Sequence, residues 1–284
     1  MNNLTKNRLK DKTFKLLGIT FTFLGIFILG VLIYNILKVG YTRINWDFLT
    51  SLPSRRPQRA GIYTAIMGTL YLMVLTISFA IPVGIGAGVY LEEYVKKSKL
   101  SYLLEINISN LAGVPSIIYG LLGLGIFVRF FNFGGSILAG SLTLSLLILP
   151  IIIVSTREAI KAVPSSLKEA SFALGATKWQ TIYSVILPSS FGGILTGVIL
   201  SLSRAIGETA PLIVVGAMAY VPFVPKSLFD TFSVLPIQIF NWTTRPQHGF
   251  AIAAAGAIIV LLLMTFIMNG IAVYFRNKWQ KKLQ

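Results

Sequence analysis

The sequence predicts an all-α membrane protein of six transmembrane helices. Three observations carry that expectation. Hydrophobic residues make up 55% of the chain and charged residues only 12%, with mean hydropathy +0.76, a balance that no water-soluble surface sustains. Six apolar runs are each long enough to cross a hydrocarbon core of roughly 30 Å. The basic residues divide unequally between alternate connections, as membrane insertion dictates.

The elements follow in order. Phe14–Leu37 is too long for a cleavable signal peptide and lacks a clear small-residue cleavage site, so it reads as a span behind a polar N-terminus, 1–13. Ile62–Leu91 is the second span. The third, Leu103–Phe131, starts among Glu105, Asn107 and Asn110 and reads there as an interfacial stretch. Gly135–Val154 is the fourth, Ser189–Ala219 the fifth and Phe250–Phe275 the sixth, so that 14–275 forms one membrane domain with a tail, 276–284. Gly84-x3-Gly88 and Gly193-x3-Gly197 permit close helix approach and are expected to be packing surfaces, against a partner chain among other candidates.

Of the 25 Lys and Arg residues, sixteen lie in the N-terminus counted through Lys15, the second connection, the stretch 155–188 and the C-terminus. Eight lie in the opposite connections: Lys38, Arg43, Arg55, Arg56, Arg59, Arg129, Lys226 and Arg245. Both termini and the 155–188 loop are therefore expected to be cytoplasmic. The net charge of +16 does not indicate nucleic-acid binding, because the charges flank apolar spans where anionic lipids attract them. Glu92 and Glu93 end the second span, and Lys96 and Lys97 lie at i+4, in position to compensate them if the helix continues.

The 155–188 loop holds two short helices. Ser166-x-x-Glu169 and Thr177-x-x-Gln180 both fit a capping box. Gly175 stands where a left-handed residue would end the first helix, and Pro188 is expected to stop the second. Leu167, Ala170, Ser171 and Leu174 form a small-to-apolar stripe, as do Trp179, Ile182, Tyr183 and Ile186. Such a helix–turn–helix on the water side of a membrane protein is a docking surface.

Its spacing resembles the E-A-A-x3-G-x9-I-x-L-P loop of binding-protein-dependent ABC importer permeases. Ser171 replaces the second Ala and Val185 the Ile. The resemblance implies a MetI-like permease fold in which the loop seats as a coupling helix in a groove of an ATPase subunit. It implies that Glu169, Ala170, Ser171, Gly175, Leu187 and Pro188 form the coupling contact.

The chain's own chemistry is sparse. There is no G-x-x-x-x-G-K-[ST] phosphate loop, no nucleophile elbow and no metal-binding helix motif. Cysteine is absent and His248 is the sole histidine, so no disulfide, thiolate or histidine-based metal site is expected. The chain is not expected to be an enzyme or to bind a cofactor; its energy source lies in a partner.

One ionic pair interrupts an apolar span. Arg204 and Glu208, at i and i+4, share a helix face and can pair. Each costs on the order of 2.5–3.5 kcal/mol at bilayer depth unless compensated. A polar pathway is one reading, with guanidinium donors left for a passing oxyanion; a structural ion pair locking two segments is the other. Pro211 is expected to break the helix just beyond. Sulfate, molybdate and phosphate all satisfy such charges.

Arg204-Ala-x-Gly-Glu-Thr209-Ala-Pro211 is similar to the R-A-x-G-E-T-A-P signature of phosphate importer permeases of the PstA type. Ile62-x3-Ile66-Met-Gly-Thr-Leu70, Ala80-x-Pro82-x-Gly84 and Asn110-Leu-Ala-Gly-Val-Pro-Ser116 are similar to the same family, in order. That resemblance implies a substrate path at Arg204, Glu208 and Thr209 in one half of a heterodimeric pore in the bacterial inner membrane. The implied partners are a second permease of the PstC type, a dimer of ATPase subunits holding ATP and Mg, and a phosphate-binding protein. Arg55, Arg56 and Arg59, clustered before the second span, are candidates for an outer anion mouth or a solvated loop. The rival class, a secondary transporter or channel, lacks support from inverted repeats with paired broken helices or from a chain of membrane-depth acids.

Overall fold

The computed structural model describes residues 3–96 and 98–283, and all its regular elements are helical. In chain order they are α1 (Asn3–Gly40), α2 (Trp46–Thr50), α3 (Tyr63–Val89), α4 (Lys99–Leu111), α5 (Ser116–Gly123) and α6 (Ile137–Lys161). Then come α7 (Ser165–Ala173), α8 (Lys178–Thr181), α9 (Leu187–Ala205), α10 (Ala210–Val215), α11 (Leu235–Thr243) and α12 (His248–Leu283). Wider π-turns extend α3 through Tyr90–Tyr94 and α5 through Leu124–Phe130, and Ile182–Ile186 joins α8 to α9.

Five helical stretches are long and apolar enough to cross a membrane: Lys10–Arg43, Tyr63–Tyr94, Ile137–Lys161, Lys178–Ala205 and His248–Trp279. A sixth crossing is made if Ser101–Leu111 and Ser116–Phe130 count together, although they are bent by 102°. The bend follows from Pro115, which pushes Val114 away from helical geometry and leaves α5 to start afresh with Pro115 as its N-cap.

The centre of the bundle is α6, whose membrane-length window is 72% buried, whereas that of α1 is not buried at all. Small residues bring its neighbours close. A Cβ on Gly84 of α3 would stand 2.6 Å from Ile152, and one on Gly88 2.7 Å from Thr156. On the other side a Cβ on Gly193 of α9 would meet Ala159 at 2.7 Å, and one on Gly197 would overlap Ser155. Both small-residue motifs therefore pack within the chain, not against a partner. Several buried hydroxyls return their hydrogen bonds to backbone carbonyls, as Thr76 does to Leu72 at 2.8 Å and Ser145 to Ser141 at 2.7 Å.

At the end remote from α7 and α8, Arg43 organises the segment before α3. Its Nη2 donates to the carbonyls of Pro57, Gln58 and Ala60 at 3.1, 2.8 and 3.0 Å, and its guanidinium lies 5.0 Å from the Phe48 ring centre.

Several expected boundaries move. The fourth span runs on to Lys161 instead of ending at Val154, which buries Arg157 in helix. Pro188 does not end a helix: it lies inside the continuous helical stretch Lys178–Ala205, directly after the π-turn Ile182–Ile186. Pro211 sits in the first turn of α10, and the fifth span breaks earlier, at 206–209. The Ser166–Glu169 capping box does not form, because α7 begins two residues earlier, with Pro164 in place of Ser166 as its N-cap and no side-chain cap. The α3 extension stops at Tyr94, so Lys96 has no helix on which to pair with Glu92; Lys97 lies outside the described residues.

Candidate functional site: a broken-helix cation and a docking loop

Arg204 occupies the last turn of α9, and the chain leaves the helix through Gly207 to Thr209 before α10 begins. Two short closures shape the break, Gly207 N–H to the Arg204 carbonyl at 3.3 Å and Glu208 N–H to the Ala205 carbonyl at 3.2 Å. The expected i, i+4 pair forms across it: Arg204 Nε donates to Glu208 Oε1 at 3.2 Å. The same guanidinium turns Nη1 to the Ala112 carbonyl, 3.4 Å away in the bend of the third span. The neighbouring Leu111 carbonyl accepts both the Val114 N–H at 3.1 Å and the Tyr119 hydroxyl at 2.8 Å. The cation thus sits at the C-terminal end of α4, where the helix dipole favours positive charge.

The two broken spans meet beyond this point, since a Cβ on Gly120 of α5 would stand 2.7 Å from Pro211 Cα. Arg204 remains 35% exposed and Glu208 16%. The remaining guanidinium donors have no protein partner among the described residues. An exposed, oriented fork beside unwound backbone can receive a planar oxyanion edge. Thr209 is the N-cap residue of α10, but its side chain makes no capping bond. The sequence anticipated the Arg204–Glu208 pair and missed the link to Ala112, although Gly113 and Pro115 marked a break there.

The loop between α6 and α9 has the expected hinge. Gly175 adopts φ +82°. Its N–H reaches the Phe172 carbonyl at 2.9 Å and the Ala176 N–H reaches the Ser171 carbonyl at 3.2 Å, a left-handed double closure of α7. Thr177 and Gln180 then cap α8 reciprocally. Glu169 and Ala170 are exposed, and Glu169 has no ion-pair partner among the described residues. Leu174 is 89% exposed, with Leu167 and Phe172 also outward.

The second stripe divides. Ile182 and Ile186 pack with Ile160, while Trp179 and Tyr183 stay outside and stack at 6.4 Å. Leu187 and Pro188 are half-buried and line an apolar cavity of about 460 Å³ with Tyr183, Phe191 and Trp279. Ser171, the departure from the E-A-A pattern, has a purpose of its own: its hydroxyl lies 2.9 Å from that of buried Thr181, joining α7 to α8. Ser171→Ala is expected to cost about 1 kcal/mol of loop stability, read as faster hydrogen exchange in α7 than in α9.

Ion pairs invisible in the sequence link this loop to the bundle. Glu93 pairs with Lys168 at 2.5 Å, and Lys178 bonds the Glu93 carbonyl. Glu92 pairs with Arg157 at 3.3 Å. At the opposite end Arg55, Arg56 and Arg59 are all exposed and make no ion pair among the described residues. Of the two acids there, Asp230 accepts the N–H groups of Lys226 and Ser227, which holds its carboxyl below the usual range.

A multi-span helical chain with two short capped helices between α6 and α9 and a half-exposed cation at paired helix breaks has the build of a transporter permease. The family model described as "Binding-protein-dependent transport system inner membrane component" matches residues 80–281. The chain belongs to that family and is a multi-pass inner-membrane protein. It is 31% identical over 278 residues to "Probable ABC transporter permease protein YqgI" of Bacillus subtilis, covering 94% of each chain. It is 33% identical over 238 residues to "Phosphate transport system permease protein PstA 1" of Mycobacterium tuberculosis, covering 83% of this chain and 77% of that one. A solved bacterial ABC transporter involved in alginate import has a chain that superposes with a TM-score of 0.67 and 16% identity, covering 98% of this chain and 99% of that one. The importer-permease architecture expected from the sequence is the one found.

Proposed function

We propose that this chain is one permease half of an ATP-driven, binding-protein-dependent importer of inorganic phosphate. The observation that carries the reading is Arg204, held by Glu208 and the Ala112 carbonyl with donors to spare at the junction of two broken spans. Phosphate, among the oxyanions that would suit that fork, is favoured by likeness to permeases named for phosphate transport. Glu208 and Thr209 complete the polar break, and Arg55, Arg56 and Arg59 concentrate anions at the outer mouth.

The absence of a phosphate loop motif supports a separate pair of ATPase subunits holding ATP and Mg. They dock on Glu169, Ala170, Ser171 and Gly175, with Leu187 and Pro188 carrying the motion into α9. That places the loop and both termini in the cytoplasm, in agreement with the positive-inside count. A second permease of the PstC type supplies the other half of the pore. The bare flanks of α1, whose apolar window is unburied, support a partner or lipid there. A periplasmic or extracellular phosphate-binding protein delivers the anion.

The test is uptake of radiolabelled phosphate by cells lacking their own importer and supplied with this chain and its neighbouring transport genes. Arsenate is expected to compete and sulfate not to. Competition by sulfate or molybdate instead would assign another oxyanion. Transport by the purified chain alone in liposomes would overturn the ATP-driven reading in favour of a secondary transporter or channel.

A further inference from the structure

Two adjacent carboxylates at the end of α3 face in different directions, and each holds a different part of the molecule. Glu93 takes the Lys168 ammonium at 2.5 Å, one residue before Glu169. Its backbone carbonyl accepts Lys178 Nζ, and that ammonium also lies 4.7 Å from the Tyr94 ring centre. Both helices of the docking loop are thus fastened to one turn. Glu92 instead receives Arg157 Nε at 3.3 Å from α6. Arg157 Nη2 continues to Glu105 of α4 at 3.0 Å, where Lys161 also binds at 3.2 Å. These groups line a cavity of about 450 Å³.

The pairs are not ordinary surface contacts: side-chain exposure is 11% for Glu93, 18% for Glu92 and 10% for Arg157. Poorly hydrated charges of this kind resist separation, because an unpaired member would keep its desolvation cost without its partner. The turn carrying both carboxylates is a π-turn, a geometry frequent at functional sites. From Glu105 the last two turns of α4 lead about 10 Å to Leu111 and Ala112, the carbonyls held by Tyr119 and Arg204.

We propose that Glu92 and Glu93 are positioning residues forming the joint that carries motion from the docking loop to the anion site. Glu93 holds α7 and α8, Glu92 holds Arg157, and α4 is the lever between Glu105 and Arg204. The proposal rests on the ATP-driven permease reading and deepens it.

The test is a double-mutant cycle on the assembled complex in proteoliposomes, reading inorganic phosphate moved per ATP hydrolysed. Glu93→Gln and Lys168→Gln are each expected to lower that ratio on the order of tenfold, within the usual span of coupling free energies. The exchange Glu93→Lys with Lys168→Glu is expected to restore most of it. A merely structural contact would lower the amount of complex in the membrane and leave the ratio per complex unchanged. An unchanged ratio in the single variants, or an exchange no better than either of them, overturns the joint. If the parent complex hydrolyses ATP but moves no phosphate, the substrate reading fails separately. The joint is then read from the stimulation of hydrolysis by the binding protein, which the single variants lose and the exchange recovers.

Discussion

Arg204→Lys is expected to lower phosphate uptake by about a hundredfold, and Arg204→Ala to abolish it, with the complex still assembled in the membrane. The argument is one of donor count. Arg204 Nε is engaged by Glu208 at 3.2 Å and Nη1 by the Ala112 carbonyl at 3.4 Å, so the guanidinium plane is already fixed when an anion arrives. Nη2 then keeps both of its N–H donors for an anion at no further ordering cost. Lysine keeps the charge but presents it as a point, and its three donors lack the planar spread that meets Glu208, Ala112 and an anion at once. Losing two charge-assisted hydrogen bonds at roughly 1.5 kcal/mol each amounts to about 3 kcal/mol. That is close to two powers of ten in rate or affinity.

Glu208→Gln should act with the opposite sign on binding. It keeps the shape of the pair, removes the competing negative charge, and is expected to tighten phosphate binding while slowing its release. A lower half-saturation concentration together with a lower maximal rate is the outcome to measure. A structural ion pair predicts something else: all three variants would reduce the quantity of complex that co-purifies with the ATPase, and uptake per complex would stay level.

What was legible in the sequence was local. Apolar length marked the spans, Thr177-x-x-Gln180 marked the start of α8, and Gly175 marked the left-handed end of α7. Arg204 and Glu208 were readable as a pair because one helical turn brings i and i+4 together. What escaped was non-local or decided by competition. Glu92 looked toward Lys96, but the helix ends at Tyr94 and the partner is Arg157, 65 residues away. Pro188 and Pro211 looked like helix stops, yet Pro211 falls in the first turn of a new helix, where a missing N–H deprives no carbonyl of its bond, and Pro188 is carried through by the π-turn just before it. The true breaks fall at 206–209 and at Ala112 to Pro115, where glycine lies within or beside the interruption. Small-residue spacing showed that Gly84, Gly88, Gly193 and Gly197 would be approached closely, but spacing does not name the approaching helix; here it is α6.

Gly175→Val is expected to lower ATPase capture and uptake together by at least about tenfold, whereas Gly175→Asn should be mild. Space does not distinguish them, since a Cβ at this position would meet nothing within 4 Å. Backbone conformation does. At φ +82° an L residue pays about 1–2 kcal/mol, asparagine least because its side chain tolerates the left-handed region, and a β-branched residue most. Valine is therefore expected to abandon the turn, breaking the closures from Gly175 to Phe172 and from Ala176 to Ser171. Without them α7 and α8 no longer hold a fixed angle, and the outward face of Leu167, Phe172 and Leu174 loses its shape.

Glu169→Gln separates contact from geometry. Glu169 is exposed and touches no basic residue among those described, so the substitution should leave the loop's hydrogen-exchange pattern unchanged while weakening ATPase capture. Gly175→Val should change both. If valine and asparagine behave alike at 175, the left-handed turn does not govern docking, and the contact must be carried by α7 side chains alone. If Glu169→Gln is silent while Gly175→Val is not, the groove on the ATPase reads the shape of the loop and not its charge.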